Sequence, residues 1–156
     1  MPEFKIRLED GNTDRAFVKG LNARLSGVID APTHSKGEVE AFQERFTATA
    51  WQDGAAAGAT FIAVSQDGQR LGYVNVRESM DEIANEKCGY ITLLAVADEA
   101  EGEGVGQALL IEAERWTKEK GFRRLSLDVF ASNGRGQGFY EKAGYQPETI
   151  RVIKQL

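Results

Sequence analysis

The sequence has one cysteine, one histidine and three prolines among 156 residues, and its 24 aspartates and glutamates outnumber its 19 lysines and arginines. With Cys88 alone, no intrachain disulfide can form. No histidine stands near it in sequence, so it reads as a buried small hydrophobe rather than a nucleophile. His34 is likewise alone, and no clustered cysteine, histidine or carboxylate spacing suggests a metal. The net charge of −5 argues against nucleic acid or an anionic membrane as the main partner, since both reward a basic surface. No apolar run approaches the length of a transmembrane helix. The opening residues MPEFKIRLED lack a basic-then-apolar leader pattern, so the cytoplasm is the expected compartment.

What is present is ordinary for a folded protein: 42% hydrophobic and 28% charged residues, enough chain for one domain, residues 1–156, with a sizeable core. FKIRL (Phe4 to Leu8) alternates as a half-buried strand does. Asp10-Gly11-Asn12-Thr13 is a turn ending in helix-capping residue types. Phe17, Val18, Leu21 and Leu25 then recur at helical spacing. Ser35-Lys36-Gly37-Glu38 has the form of a capping box, opening a second helix with Val39, Phe42 and Phe46 on one face. Gly54 to Gly58 reads as a loose connection.

TFIAVS (Thr60 to Ser65) and LGYVNVR (Leu71 to Arg77) are strands joined at Asp67-Gly68, the strongest hairpin signal in the chain. Glu78 to Glu86 is acidic and reads as a loop. GYITLLAV (Gly89 to Val96) has little alternation, as a strand buried on both faces would. Val105, Leu109, Ala113 and Trp116 mark a third helix, stopped by Gly121. LSLDVF (Leu125 to Phe130) is a strand, Asn133 caps a fourth helix, and RVIKQL (Arg151 to Leu156) is a last strand. Trp51 and Trp116 are core or rim positions. The order is that of a mixed α/β (α+β) domain, with a crossover between parallel strands from Gly89 to Phe130.

The stretch EGEGVGQALL, Glu101 to Leu110, has the composition of a phosphate loop but carries acids. A dinucleotide fingerprint needs G-x-G-x-x-G after a first strand, and the glycines at 102, 104 and 106 are spaced two and two. A Walker loop ends in Gly-Lys-Ser/Thr, and Gly106 is followed by Gln107 and Ala108. Two readings remain. One is a helix start whose acids serve the helix dipole. The other is a cradle built from backbone N–H groups, with glycines removing the Cβ atoms that would hold a pyrophosphate away.

The strand ITLLAV running into this loop, the stretch SNGRGQGFYEKAGY (Ser132 to Tyr145) and the element order together resemble the GNAT superfamily of N-acetyltransferases. The resemblance covers most of the chain and is best from Gly89 to Tyr145. It implies a mixed central sheet of about six to seven strands with four helices, and acetyl transfer from acetyl-coenzyme A (acetyl-CoA) to a primary amine of a small molecule or peptide. It places the cofactor's pantetheine arm on the backbone of Leu94, Ala95 and Val96 beside a bulge. The pyrophosphate lies on N–H groups of Gly102, Glu103, Gly104, Val105, Gly106 and Gln107, with Glu101 and Glu103 turned to solvent. Asn133 and Gly136 lie against the arm, and Arg135 and Lys142 supply positive charge. A backbone N–H near Val96 serves the oxyanion, and Tyr140 is the general acid for the leaving thiolate.

The family's common glutamate base has Thr92 in its place. His34, Glu78 and Asp81, with Glu82 and Glu86, are the candidate substrate-side residues, the acids drawing an amine as a group. A non-catalytic acyl-CoA-binding module on the same scaffold is the alternative. A homodimer in which RVIKQL pairs with a second chain is compatible with either.

Overall fold

FKIRL forms the first strand, β1 (Phe4–Leu8), of a computed structural model that describes residues 3–26, 29–49 and 57–156. The expected connection at 54–56 and Trp51 lie outside the described residues. After β1 come α1 (Gly11–Ser26), α2 (Lys36–Thr49), β2 (Gly58–Ser65), β3 (Arg70–Asp81), β4 (Glu86–Val96), a 3-10 turn (Asp98–Ala100), α3 (Val105–Glu119), β5 (Leu125–Leu127) and α4 (Gly134–Lys142). The sheet runs β1-β2-β3-β4-β5, antiparallel except for the parallel β4–β5 pair joined through α3. This is the expected mixed α/β class.

Local chemistry sets several boundaries as predicted. Ser35 Oγ accepts from the Glu38 N–H at 3.1 Å, and the Glu38 carboxylate accepts from the Ser35 N–H at 2.9 Å, completing the capping box of α2. Gly68, at φ +88°, closes the β2–β3 hairpin, where left-handed backbone favours glycine. Asp14 secures the start of α1. Its carboxylate, with no exposed side-chain surface, takes Arg7 at 2.7 and 3.1 Å, Arg70 at 2.6 Å and the Asp10 N–H at 2.7 Å. The Arg7 and Arg70 guanidinium bonds hold it well below the usual carboxylate range against the opposing cost of burial.

Both sheet faces are buried, which is why the central strands alternate little. Ile62, Val64, Tyr73 and Ala95 meet Val18 and Leu21 of α1. Phe61, Ala63, Val74, Val76 and Ile91 meet Val105, Leu109, Leu110, Ala113 and Trp116 of α3.

Three expectations are corrected. The acidic segment Glu78 to Glu86 is not a loop but the far end of the β3–β4 hairpin, turning over 82–85. Asp81 Oδ1 accepts the N–H groups of Ile83 and Ala84, and Glu86 pairs with Arg123 and Arg124 at 2.9 and 2.8 Å, partners distant in sequence. β5 stops at Leu127 rather than Phe130, because β4 bends away there. RVIKQL forms no strand: residues 146–156 are exposed and unpaired with the sheet, whose last strand offers only three residues of ladder. The sheet therefore has five strands, not six to seven, while the helices among the described residues number four as expected.

Candidate functional site

The site is built on a fork between β4 and β5. Their ladder ends at Ile91↔Leu127. At the same level the β3–β4 register steps from Val76↔Ile91 to Asn75↔Leu93, leaving Thr92 as an extra residue. Such a bulge bends its strand. It lies two residues before the position expected from sequence. Past it, the Ala97 N–H donates to Leu71 C=O. Alternation along β4 then turns the backbone of Leu93 and Ala95 toward β3 and that of Leu94 and Val96 toward the gap. Beyond Ile91 no described strand pairs with β4 on that side.

The gap leads to the glycine loop. Gly102 and Gly104 take φ +79° and +83°, and Gly104 caps α3 without any side-chain hydrogen bond. The first intrahelical bond runs from the Ala108 N–H to Gly104 C=O. The N–H groups of Val105, Gly106 and Gln107 therefore have no intrahelical acceptor. Gly106 faces α4: a Cβ there would stand 3.5 Å from both Val96 Cγ2 and the Phe139 ring. Glu103 is exposed. Glu101 is not simply turned to solvent, because it pairs with Arg135 at the start of α4, 3.1 Å away. Lys142 is exposed at the other end of that helix.

Asn133 caps α4, its Oδ1 accepting the Gly136 N–H at 2.9 Å. A Cβ at Gly136 would lie 2.5 Å from Asn133 Nδ2, so glycine there permits the cap. Seven residues on, the Tyr140 ring packs edge-on against Phe139 and Tyr145, with centroids at 5.1 and 5.8 Å. Burial pushes the Tyr140 hydroxyl up to about 12. The Tyr145 hydroxyl is committed to Glu114 on α3 at 2.7 Å. That of Tyr140 has no hydrogen-bond partner among the described residues, which leaves it free to serve a ligand.

The opposite mouth of the fork lies under α2. Tyr90 donates to Asp128 Oδ2 at 2.6 Å, one residue past the end of β5. Burial, then the Asp128 carboxylate, raises the Tyr90 hydroxyl. Phe130 meets Phe42 of α2 edge-on at 6.3 Å, and Phe42 stacks on Phe46 at 5.4 Å. Thr92, at the bulge, is buried with its hydroxyl unpartnered. Asp128 is the residue that sequence reasoning missed. Its signal was the alternation of LSLDVF, which sets Ser126 and Asp128 on the face opposite Leu125 and Leu127.

Among the described residues no hydrogen bond or ion pair joins the anticipated substrate-side residues to Asp128, whose partner is Tyr90. His34 is exposed between α1 and α2, beside Thr33. Glu78 pairs with Lys87 at 3.5 Å, and Asp81 with Arg124 at 3.6 Å, toward the hairpin end. Cys88 is buried, which raises its thiol. Among the described residues no three histidine, cysteine or acidic side chains gather as a metal site.

Residues 27–145 match the model of the acetyltransferase (GNAT) family. A Bacillus subtilis protein, provisionally named [ribosomal protein bS18]-alanine N-acetyltransferase, is 38% identical over 60% of this chain and 58% of its own length. The aminoglycoside N(6')-acetyltransferase type 1 of Stenotrophomonas maltophilia is 31% identical over 63% of this chain and 65% of its own. These matches thus span about three fifths of the relatives' length. Among solved structures, one from Pyrococcus furiosus, provisionally called an acetyl transferase, superposes with a TM-score of 0.80 at 28% identity, covering 99% of this chain and 100% of the other.

Proposed function

The chain belongs to the acetyltransferase (GNAT) family, and on that footing we propose that it transfers the acetyl group of acetyl-CoA to a primary amine of a small molecule or peptide. One observation carries this reading: the open β4 edge of the fork runs directly to the unbonded N–H groups at the start of α3. An extended pantetheine arm can add to the edge at Leu94 and Val96 as a strand would. The pyrophosphate can then sit on the N–H groups of Val105, Gly106 and Gln107, where the helix dipole favours anions. Gly102, Glu103 and Gly104 approach it by backbone alone. Asn133 and Gly136, joined by their cap, flank the arm. Arg135 and Lys142 are the basic residues on this side.

The reaction joins the amine nitrogen to the acetyl carbon and breaks its bond to sulfur. At pH 7 an amine of pKa ~10.4 must lose a proton at a cost of about 4.6 kcal/mol. Asp128, oriented by Tyr90, is the carboxylate placed to receive that proton at the acceptor mouth. The backbone N–H near Val96 stabilises the oxyanion. Tyr140 donates to the departing sulfur. With its hydroxyl near 12 and a thiol near ~8.5, complete transfer stays uphill even once the C–S bond has broken, so Tyr140 donates a hydrogen bond to the developing thiolate and passes its proton on only as solvent replaces it.

The module reading draws its support from Thr92, standing where a glutamate base is usual, and from Glu101 in the phosphate loop. Against it, Asp128, one residue past β5, offers a carboxylate in place of the first, and Arg135 pairs with the second. His34, Glu78 and Asp81 have at most a peripheral place. We read the whole of residues 1–156 as one catalytic domain of the cytoplasm; no described helix is long and apolar enough to cross a membrane. A homodimer through RVIKQL is also part of this reading, supported by Val152 and Ile153, 86% and 55% exposed. Thiol release from acetyl-CoA, followed by mass spectrometry across a panel of amines, tests the function. Acetylated product that disappears in Asp128→Asn is expected. Coenzyme A binding without turnover of any amine would overturn the proposal.

A further inference from the structure

Beneath α2, the acceptor mouth has a composition that narrows the amine it serves. Three kinds of group meet there. Asp128, held by Tyr90 at 2.6 Å, is its carboxylate. Phe42, Phe46 and Phe130 form an apolar wall, with Phe42 39% exposed. Arg77 lies directly across from Tyr90 in the β3–β4 register. It is half-buried, makes no ion pair among the described residues, and its charge reaches the Tyr90 hydroxyl that Asp128 also holds.

Resting on the acetyltransferase reading, we propose that the acceptor is an α-amine of an amino acid or peptide with an apolar side chain, and not a polycationic amine. Each group has a counterpart in such a molecule. The ammonium and the proton it sheds go to Asp128. The adjacent apolar side chain covers the exposed Phe42 ring, removing apolar surface from water. The carboxylate or carbonyl oxygen next along meets Arg77, whose planar fork suits it. A polyamine or aminoglycoside brings several cations and needs several acids. Three acids of the β3–β4 hairpin are already matched: Glu78 by Lys87, Asp81 by Arg124, and Glu86 by Arg123 and Arg124. A second cation at this mouth would face Arg77, and like charge there selects against it.

The test measures kcat/KM by thiol release with leucine, leucinamide, a leucyl peptide, glycinamide, n-butylamine, spermidine and kanamycin. A leucine-bearing acceptor is expected to exceed spermidine and kanamycin by at least about tenfold, the worth of one charge-assisted bond. Leucine against leucinamide and the peptide then separates a free carboxylate from a peptide carbonyl as the source. Arg77→Gln should raise KM for the best leucine-bearing acceptor about tenfold more than for n-butylamine, with Arg77→Lys recovering part of the loss. Phe42→Ala should raise KM for leucinamide more than for glycinamide. Coenzyme A affinity in each variant reports that the fold is intact. Preference for spermidine or kanamycin would overturn the inference while leaving acetyl transfer standing. Equal effects of Arg77→Gln on all acceptors would do the same. Failure to acetylate any amine would overturn both.

Discussion

Gly106→Ala should separate the stability of the α3 start from its binding role. Gly106 lies in the first turn of α3, and its backbone is helical. An alanine Cβ there would meet Phe139 and Val96 at 3.5 Å, ordinary contact with no displacement. Replacing a helical glycine by alanine stabilises by up to about 0.5–1 kcal/mol. For a chain of this length that raises Tm by roughly 1–4 °C. The added methyl would stand between β4 and α4, at the gap through which the cofactor arm must pass to reach the helix N–H groups. A loss of at least about tenfold in coenzyme A affinity is expected, or about 1.4 kcal/mol. Thermal unfolding without ligand and titration calorimetry with coenzyme A measure the two effects separately. Gly104→Ala is the counterpart: at φ +83° it should lower Tm, because left-handed backbone costs an L-residue about 1–2 kcal/mol. A more stable Gly106→Ala protein with unchanged affinity would refute the cradle. A less stable one would refute the packing argument.

Tyr140→Phe should lower kcat by about 10²–10⁴-fold, as for a lost general acid, with coenzyme A affinity nearly unchanged. With the hydroxyl raised to about 12, no alkaline fall in rate below about pH 10 should arise from this residue. Glu101→Gln should free Arg135 from its 3.1 Å pair and tighten coenzyme A binding about 1.4- to 5-fold at low salt, the range for an exposed ion pair. Asp14→Asn should cost about 3–5 kcal/mol in urea unfolding, because it strands two half-buried arginines. Since the folded Asp14 carboxyl sits below its unfolded value, its stabilisation is present above the unfolded pKa of ~3.9 and is lost as pH falls through the folded one. The wild-type acid limb should therefore be steeper than that of Asp14→Asn.

What the sequence made legible is mostly what is local. The Ser35–Glu38 box, the Asp67-Gly68 hairpin, the α3 face from Val105 to Trp116 and the Asn133 cap each depend on residues within a few positions of one another. What it hid depends on distant partners. The β3–β4 hairpin extends through acids that read as a loop because Arg123 and Arg124, which neutralise Glu86, arrive 37 and 38 residues later. The Thr92 bulge follows from strand register, which no periodicity in GYITLLAV announces. Asp128 meets its hydrogen-bond partner Tyr90 across the same 38 residues of chain. Nothing in the loop of Glu101 announces its partner, Arg135, which sits on α4. The expected strand RVIKQL alternates well enough, but pattern alone supplies no neighbour for it.

An acidic loop can hold a polyanion when the contacts that differ in range are weighed separately. Asp98, Glu99, Glu101 and Glu103 crowd the start of α3, and Arg135 answers only Glu101. An exposed acid about 10 Å from a phosphate charge repels it by about 0.4 kcal/mol in water, and screening at physiological salt leaves roughly a third of that. Three such acids therefore oppose each phosphate charge by about 0.3–0.4 kcal/mol, or about 0.6–0.8 kcal/mol for the two of a pyrophosphate. One hydrogen bond from a backbone N–H to a charged oxygen contributes about 1.5–3 kcal/mol, and Val105, Gly106 and Gln107 offer three. Short-range bonds outweigh the field, which predicts an unusual salt response. A phosphate site built on lysine and arginine weakens steeply as salt rises. Here the residual field is repulsive, so coenzyme A affinity should stay constant or rise slightly between about 50 and 300 mM salt, where the Debye length shrinks to a few ångströms. A steep fall in affinity over that range would mean that Arg135 and Lys142, not the helix N–H groups, hold the phosphates.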